Sequence, residues 1–314
     1  MNSTKPRFSF STRRKVIQAV GFAGLTLIAL LTVTPIFFIV LLIFKQGLPA
    51  ISWEFLTAFP SQGMRAGGIF PAILGTVYLT FFTTLFVVPL GIAAAIYLAE
   101  YARENLFTRI IRISIINLAG IPSIVYGLFG LGIFVLFFKL GTSILAASLT
   151  LGIMTMPVII STAEEALRTV PQSFRVVSIS LGATRWQTIR KIVLPQSLPG
   201  ILTGIILGLE RAAGETAPIL FTGAAFFLPK LPASPMDATM ALPYHLYVVS
   251  TQVPGMPVEV QYGTALVLLI IILGMNPACP LANPDYASGV IAQPIIIDVL
   301  ANDTDPNGEN LSVS

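Results

Sequence analysis

The segment "LPGILTGIILGLERAAGETAPILFTGAAFFL" (Leu198–Leu228) is long and apolar enough to cross a lipid bilayer, yet it contains two acidic residues and one arginine. A transmembrane helix needs about 20 mostly apolar residues, and this segment exceeds that length. Charged side chains are costly at bilayer depth, and where they occur there they mark substrate or ion pathways. Glu210, Arg211 and Glu215 are therefore the first candidates for a functional role.

Five further apolar runs are distributed along the chain. The composition agrees with a membrane protein, because 55% of the residues are hydrophobic and 10% are charged, whereas soluble domains carry about 25% charged residues. We predict an all-α polytopic membrane protein with about six transmembrane helices. The further runs are Val16–Phe44, Ile69–Ala99, Ile113–Phe138, Thr142–Ala163 and Gly263–Met275, of which the last is shorter than a full span.

Lysine and arginine concentrate before the first predicted span, between the second and third, and between the fourth and fifth. Because cytoplasmic loops carry an excess of these residues, the pattern predicts a cytoplasmic N-terminal segment over residues 1–15. It also places the loop 161–200 in the cytoplasm, and the apolar runs make residues 16–275 a multi-pass membrane domain. A single cysteine and a single histidine exclude Cys-based clusters and multi-histidine sites, so we expect no metal.

The loop 161–200 is too long for a simple helix connection and too apolar for a solvated linker. One short helical face is predicted over residues 176–180. Trp186, Ile189, Ile192 and Val193 recur at spacings of three and four, which predicts a second amphipathic helix. Such segments lie on the membrane surface, dock into another protein, or pack on the protein's own spans.

Three motifs carry a resemblance to a known family. "LGATRWQTIRKIVLP" (Leu181–Pro195) contains a glycine, nine residues, and then Ile-x-Leu-Pro, which resembles the cytoplasmic signature of ABC-importer permeases. "AGIPSIVYGLFGL" (Ala119–Leu131) and "ERAAGETAPILFTG" (Glu210–Gly223) resemble the A-subunit permeases (PstA) of phosphate ABC importers. The three motifs keep the family's order and spacing, and the resemblance covers about residues 10–275.

The resemblance implies a type I ABC importer permease fold and a permease subunit of an ATP-driven inorganic phosphate importer in the bacterial inner membrane. The chain is then not an enzyme and binds no cofactor, since ATP and magnesium are used by a partner. Expected partners are a second permease subunit, a dimer of ATP-binding subunits, an extracytoplasmic phosphate-binding protein and membrane lipid, with no nucleic acid. The residues expected to couple to the ATP-binding subunit are Ser178, Gly182, Ala183, Trp186, Ile192, Leu194 and Pro195.

One position departs from the family pattern. The signature usually begins with Glu-Ala-Ala six residues before the glycine, where this chain has Val176, Val177 and Ser178. The substitution removes a charge that would orient the coupling loop.

The charged cluster has its own chemistry. Arg211 and Glu215 are four residues apart, which places them on one face of a helix. The planar guanidinium of arginine suits bidentate contact with phosphate, so we expect Arg211 on the translocation route with Glu215 as its partner. Glu210 and Thr216 complete the expected translocation site. The alternative is a structural ion pair that does not contact substrate.

Residues 276–314 form a non-family tail that we expect to be flexible. The stretch "PIIIDVLANDTDPNGENLSVS" resembles the opening of a cadherin-like or Ig-like repeat from bacterial surface proteins. Six spans would leave this tail in the cytoplasm, whereas such repeats normally face outward. We therefore expect it to have arisen by fusion, frameshift or assembly error.

Two other functions fit the sequence. The chain could be the permease for another oxyanion, such as molybdate or sulfate, because arginine chemistry does not separate these anions. It could also be a non-transporting membrane scaffold or sensor that keeps the shape of a permease. The substitution at Val176 favours the second alternative, and the intact "ERAAGETAP" motif opposes it.

Overall fold

The computed structural model describes residues 10–275, so the predicted tail and most of the predicted N-terminal segment lie outside the described residues. Twelve α-helices and one two-stranded antiparallel ladder make up this part of the chain. The long helices are α1 (Phe10–Gly47), α3 (Phe70–Ile96), α6 (Ile144–Thr169), α9 (Leu194–Gly214) and α12 (Val258–Gly274). The shorter helices are α2 (Trp53–Thr57), α4 (Leu106–Ala119), α5 (Ser123–Gly130), α7 (Gln172–Ser180), α8 (Arg185–Thr188), α10 (Ala217–Thr222) and α11 (Leu242–Thr251).

The two short strands, β1 (Pro60–Ser61) and β2 (Ala66–Gly67), form a small hairpin between α2 and α3. Three helices also carry a π-helical turn. Residues Tyr97–Tyr101 extend α3, Leu131–Phe137 extend α5, and Ile189–Val193 join α8 to α9. With these extensions, α3 runs as one apolar helix from Phe70 to Tyr101, and the stretch from α8 to α9 runs from Arg185 to Gly214.

Four helices are long and apolar enough to cross a membrane: Ile17–Ala50, Phe70–Tyr101, Ile144–Thr169 and Arg185–Gly214. The pair formed by α4 and the extended α5 makes a fifth if it is counted as one broken span, and α12 is a shorter apolar helix. The helical, multi-span architecture agrees with the sequence-based prediction. The sixth predicted run begins earlier than expected, because α12 takes in the polar residues Glu259 and Gln261 after Pro257.

The third predicted span, Ile113–Phe138, is not one helix. The chain bends by 102° between α4 and α5. Pro122 lies at this bend, and proline both lacks an N–H and disfavours helical backbone in the residue before it. The hydroxyl of Tyr126 donates a hydrogen bond of 2.8 Å to the Leu118 carbonyl and so fastens the two legs together.

The predicted long loop is also mostly helical. α6 continues to Thr169, and the next long helical stretch already starts at Arg185, so only residues 170–184, which include α7, lie outside the long helices. Thr184 starts that stretch with a capping box, in which its side chain and that of Gln187 bond each other's backbone N–H. A π-helical turn precedes Pro195 and accommodates the proline, so the helix continues through this residue.

The bundle is built around α6. Of the four long apolar helices α6 is the most enclosed, with 67% of its most apolar window buried, and both α3 and α9 pack on it. Near one end, Ala95, Leu167, Val193 and Ile201 form a common core between these helices. α1 packs on α12. The most apolar window of α1 contains no buried residue.

Partly buried ion pairs gather at the end of the bundle where α3 and α6 finish. Arg112 of α4 lies 3.0 Å from Glu164 of α6, and Arg175 of α7 lies 2.6 Å from Glu100 at the end of α3. We call this the basic end. The opposite end carries the hairpin and the segment 224–241, in which the Asp237 carbonyl accepts the N–H of Ile144 at the start of α6.

At that opposite end the backbone of α3 touches the segment that leads into α11. A Cβ added to Gly75 would overlap the Met240 carbonyl oxygen and the Thr239 hydroxyl, and the carbonyl belongs to the backbone and cannot rotate away. Overpacking of this kind costs about 1–3 kcal/mol. We therefore expect Gly75→Ala to lower the Tm of the purified protein by about 5 °C.

The matched control is Gly132→Ala, because Gly132 is also helical and has no atom within 4 Å of an added Cβ. This change should keep or raise the Tm, since alanine is the better helix former. Equal Tm values for the two variants would contradict the close approach at Gly75.

Candidate functional site

The charged cluster lies where α9 ends. Continued helix past Gly214 is blocked by Pro218, whose ring would clash with the carbonyl four residues earlier. Glu215 is accordingly extended, with φ −78° and ψ 136°, and α10 starts two residues later. The predicted span through Leu228 was therefore wrong: the helix stops inside the motif, with Glu210 and Arg211 in the last turns of α9 and Glu215 in the break.

Arg211 and Glu215 nevertheless meet as the sequence predicted. Arg211 Nε lies 3.6 Å from Glu215 Oε1, which is beyond hydrogen-bond distance and makes the contact a loose ion pair. The geometry differs from the prediction, because Glu215 follows the helix end and does not share a helix face with Arg211. Arg211 stands in the last turn of α9, where the partial negative charge of the helix terminus favours a cation.

The Arg211 side chain is 36% exposed, and that of Glu215 is 19% exposed. Among the described residues, no hydrogen bond engages the guanidinium of Arg211. The site therefore holds a partly exposed guanidinium whose donors remain open to an anion.

The two remaining predicted residues behave differently. Glu210 has one carboxylate oxygen that is buried without a hydrogen-bond partner among the described residues. Thr216 is half-buried and stands at the start of α10, where its carbonyl accepts the N–H of Leu220 at 3.1 Å. Its side chain makes no capping bond.

α3 supplies hydroxyls that the sequence reasoning missed. Thr76 and Thr80 line a small gap of about 10 Å³ together with Glu215 and Pro243. Thr76 is committed to the fold, because its hydroxyl accepts the N–H of Leu242 at 2.8 Å. The sequence contained a signal for them, since Thr76, Thr80 and Thr84 recur every four residues and fall on one face of the helix.

A second candidate site is the elbow between α7 and α8, which contains the signature glycine. Gly182 has φ +84°, a left-handed conformation in which glycine is strongly favoured. Its N–H bonds the Ile179 carbonyl, and the N–H of Ala183 bonds the Ser178 carbonyl at 3.2 Å. These two bonds are the Schellman motif that ends α7, so Gly182 and Ala183 set the backbone path of the elbow.

Side chains fix the two arms of the elbow to each other. The Ser178 hydroxyl lies 2.8 Å from the Thr188 hydroxyl, and both residues are buried. Ser178 was predicted to couple to a partner; the structure places it inside the elbow, where it bonds to α8. This hydrogen bond joins α7 to the start of the long helix.

The outer surface of the elbow is apolar. Leu181 is 83% exposed, and Trp186 is more than half exposed. A groove of about 400 Å³ is lined by Ser173, Phe174, Val177, Ser178, Leu181, Ala183 and Ile192. Such a surface at the end of a membrane bundle suits contact with another protein.

The remaining signature residues are divided between surface and core. Ile192 lines the groove, whereas Leu194 packs against the core that α3, α6 and α9 share. Pro195 is exposed in the first turn of α9. The sequence reasoning placed Val193 on the amphipathic face; the structure buries it completely in that core.

Comparison with known proteins supports this assignment of the fold. Residues 87–276 match the family model "Binding-protein-dependent transport system inner membrane component". A solved bacterial ABC transporter involved in the import of the acidic polysaccharide alginate has the same fold, with a TM-score of 0.53 at 16% identity over 84% of this chain and 95% of that chain.

Curated relatives are closer in sequence. The "Probable phosphate transport system permease protein PstA" of Methanocaldococcus jannaschii is 35% identical over 79% of this chain and 87% of that protein. "Phosphate transport system permease protein PstA 2" of Mycobacterium tuberculosis is 34% identical over 85% of this chain and 88% of that protein. The chain therefore belongs to the inner-membrane components of binding-protein-dependent transport systems and, within them, to the permeases of the PstA type.

Proposed function

We propose that this chain is the permease subunit of an ATP-driven importer of inorganic phosphate. The observation that carries the proposal is the partly exposed guanidinium of Arg211, in the last turn of α9 beside the helix break, with its hydrogen-bond donors open. The names of the PstA relatives support phosphate as the transported anion. The guanidinium fork matches two phosphate oxygens at once, which ammonium does not.

Glu215 serves as the resting partner of Arg211. A loose, partly exposed ion pair contributes about 0–1 kcal/mol, whereas a hydrogen bond to a charged group contributes about 1.5–3 kcal/mol. Phosphate that reaches Arg211 can therefore displace Glu215 at low cost. When phosphate leaves, Glu215 pairs with Arg211 again and neutralises its charge on the translocation route.

The chain works with partners in this proposal. A second permease completes the route beside Arg211, which the described residues leave partly open. A dimer of ATP-binding subunits hydrolyses ATP with magnesium, and an extracytoplasmic binding protein delivers phosphate. The chain itself binds no cofactor and catalyses no reaction on the substrate. The basic end faces the cytoplasm, since lysine and arginine favour that side, and so does the N-terminus.

The first prediction of the proposed function concerns Arg211. Arg211→Ala should lower phosphate uptake by about 100-fold and Arg211→Lys by about 10-fold, because lysine keeps the charge but loses the fork. Uptake is measured with radiolabelled phosphate in cells that express the complete importer, with expression checked by immunoblot.

Arg65→Ala is the control. Arg65 is an exposed arginine of the hairpin, at the end of the bundle opposite the basic end, and its replacement should leave uptake unchanged. Near-normal uptake in both Arg211 variants would overturn the role of this residue. Uptake by the parent protein that molybdate or sulfate outcompetes would assign the route to another oxyanion. A parent complex that assembles but transports none of these anions would assign a scaffold role.

The second prediction concerns the elbow. Trp186→Asp should strongly reduce the amount of ATP-binding subunit that copurifies, because it puts a charge into the exposed apolar surface. The control is Trp53→Asp. Trp53 is 80% exposed and precedes the hairpin at the opposite end, so it should not affect the copurified ATPase.

The two variants form a matched pair, since the chain contains only these two tryptophans. Loss of the ATPase with Trp53→Asp and retention with Trp186→Asp would reverse the proposed orientation. Retention in both would show that the elbow does not bind the ATP-binding subunit.

A further inference from the structure

Glu100 and Arg175 form the shortest ion pair among the described residues. Arg175 Nη2 lies 2.6 Å from Glu100 Oε1, and each side chain is only 12% exposed. Arg175 Nε donates to the second carboxylate oxygen, Glu100 Oε2, at 3.3 Å, so the contact is bidentate. A paired, fork-shaped contact of this kind fixes orientation as well as distance.

Arg175 also holds the end of α6. Its Nη1 donates to the Val170 carbonyl at 2.6 Å, and its Nη2 donates to the Leu167 carbonyl at 2.8 Å. These carbonyls belong to the last turn of α6 and the linker, where the helix cannot satisfy them itself. One guanidinium thus ties α7 to the carboxylate that ends α3 and to the carbonyls that end α6.

Side-chain packing contributes little to this connection. α7 packs mainly on α8 and the π-helical turn that follows it. A cavity of about 480 Å³ is lined by the foot of α3, the end of α6 and the two arms of the elbow, including Ala99, Val170, Ile179 and Ile189. The ion pair therefore forms the main bridge from α7 to α3 beside this cavity.

α3 leads from this bridge to the charged cluster. Together with its π-helical turn it is continuous from Phe70 to Tyr101, 32 residues or about 48 Å. Glu100 stands at its foot, while Thr76 and Thr80, near its other end, line the gap beside Glu215. A displacement of the foot of α3 therefore reaches the neighbourhood of Arg211 through a single helix.

We propose that Glu100 and Arg175 are positioning residues that make α7 and α3 move as one body, so that force applied to the elbow reaches the charged cluster through α3. The inference rests on the proposed function in that the elbow receives the ATP-binding subunit. It supplies a role for α3 that the signature residues, which all lie in α7 to α9, do not provide. Val176 lacks the charge that the family signature has at its position, and the neighbouring Arg175 provides an electrostatic anchor for the loop instead.

The first test measures whether the two helices move together. Spin labels are placed on cysteines at Gln172 of α7 and Tyr97 of α3, both exposed, in a Cys279→Ser background. The distance between labels is recorded in the complete transporter, with its ATP-binding subunits, at rest and after trapping with ATP and vanadate. We expect the same distance in both states, and a broadened or shifted distance once Arg175→Gln is added.

A distance that changes between the two states in the parent background would overturn the inference. This reading does not depend on which anion is transported, so it stands apart from the identity of the substrate. An Arg175→Gln variant with the parent distance in both states would equally overturn it.

The second test measures coupling. In the reconstituted complex, Glu100→Gln and Arg175→Gln should each lower the phosphate transported per ATP hydrolysed by about fivefold or more, while the amount of copurified ATP-binding subunit stays the same. A purely structural role would lower assembly and transport together. Glu100→Asp keeps the charge and should recover part of the ratio.

The control for this test is Arg168→Gln. Arg168 pairs with Glu164 within α6 at the same end of the bundle, but that pair does not join two helices. An unchanged ratio in the Glu100 and Arg175 variants, or an equal loss in Arg168→Gln, would overturn the inference. A parent complex that moves no phosphate would instead overturn the proposed substrate, and the spin-label result would still decide the inference.

Discussion

The enclosure of α6 is the constraint on which the other helices depend. α6 carries the buried hydroxyl residues Ser148, Thr150 and Thr155, which are costlier than alkyl groups to expose to lipid, and both α3 and α9 pack on it. With α3 and α9 packed on α6, Glu100 lies at the basic end of the bundle and Arg211 lies towards the opposite end. Glu100 and Arg211 therefore lie on helices that pack on α6. α6 itself supplies mainly packing and, at its end, the carbonyls to which Arg175 donates.

Much of the fold follows from local sequence, and its departures follow from prolines that the apolar pattern concealed. The apolar runs predicted the long helices because lipid-spanning helices need length and hydropathy alone. Pro122 bends the third run, and Pro218 stops the fifth at Gly214, since each removes an N–H and crowds the preceding backbone. Pro195 has the opposite outcome, because a π-helical turn accommodates it.

The candidate site was partly predictable for a similar reason. Arg211 and Glu215 are close in sequence, so their contact needed only the spacing, although the helix ends between them. Glu100 and Arg175 are 75 residues apart, and a single sequence contains no signal that joins them. The threonine spacing places Thr80 on one face of α3, but its position beside Glu215 depends on how α3 and α9 pack on α6.

Gly182 gives the family signature a different meaning. Its left-handed backbone and the two bonds of the Schellman turn explain the glycine fully, and no atom lies within 4 Å of where a side chain would start. Its presence reports the handedness of a bend, whereas the exposed apolar side chains around it, such as Leu181 and Trp186, form the outer surface of the elbow. Two permeases with identical signatures can therefore share one elbow shape and still present different outer surfaces.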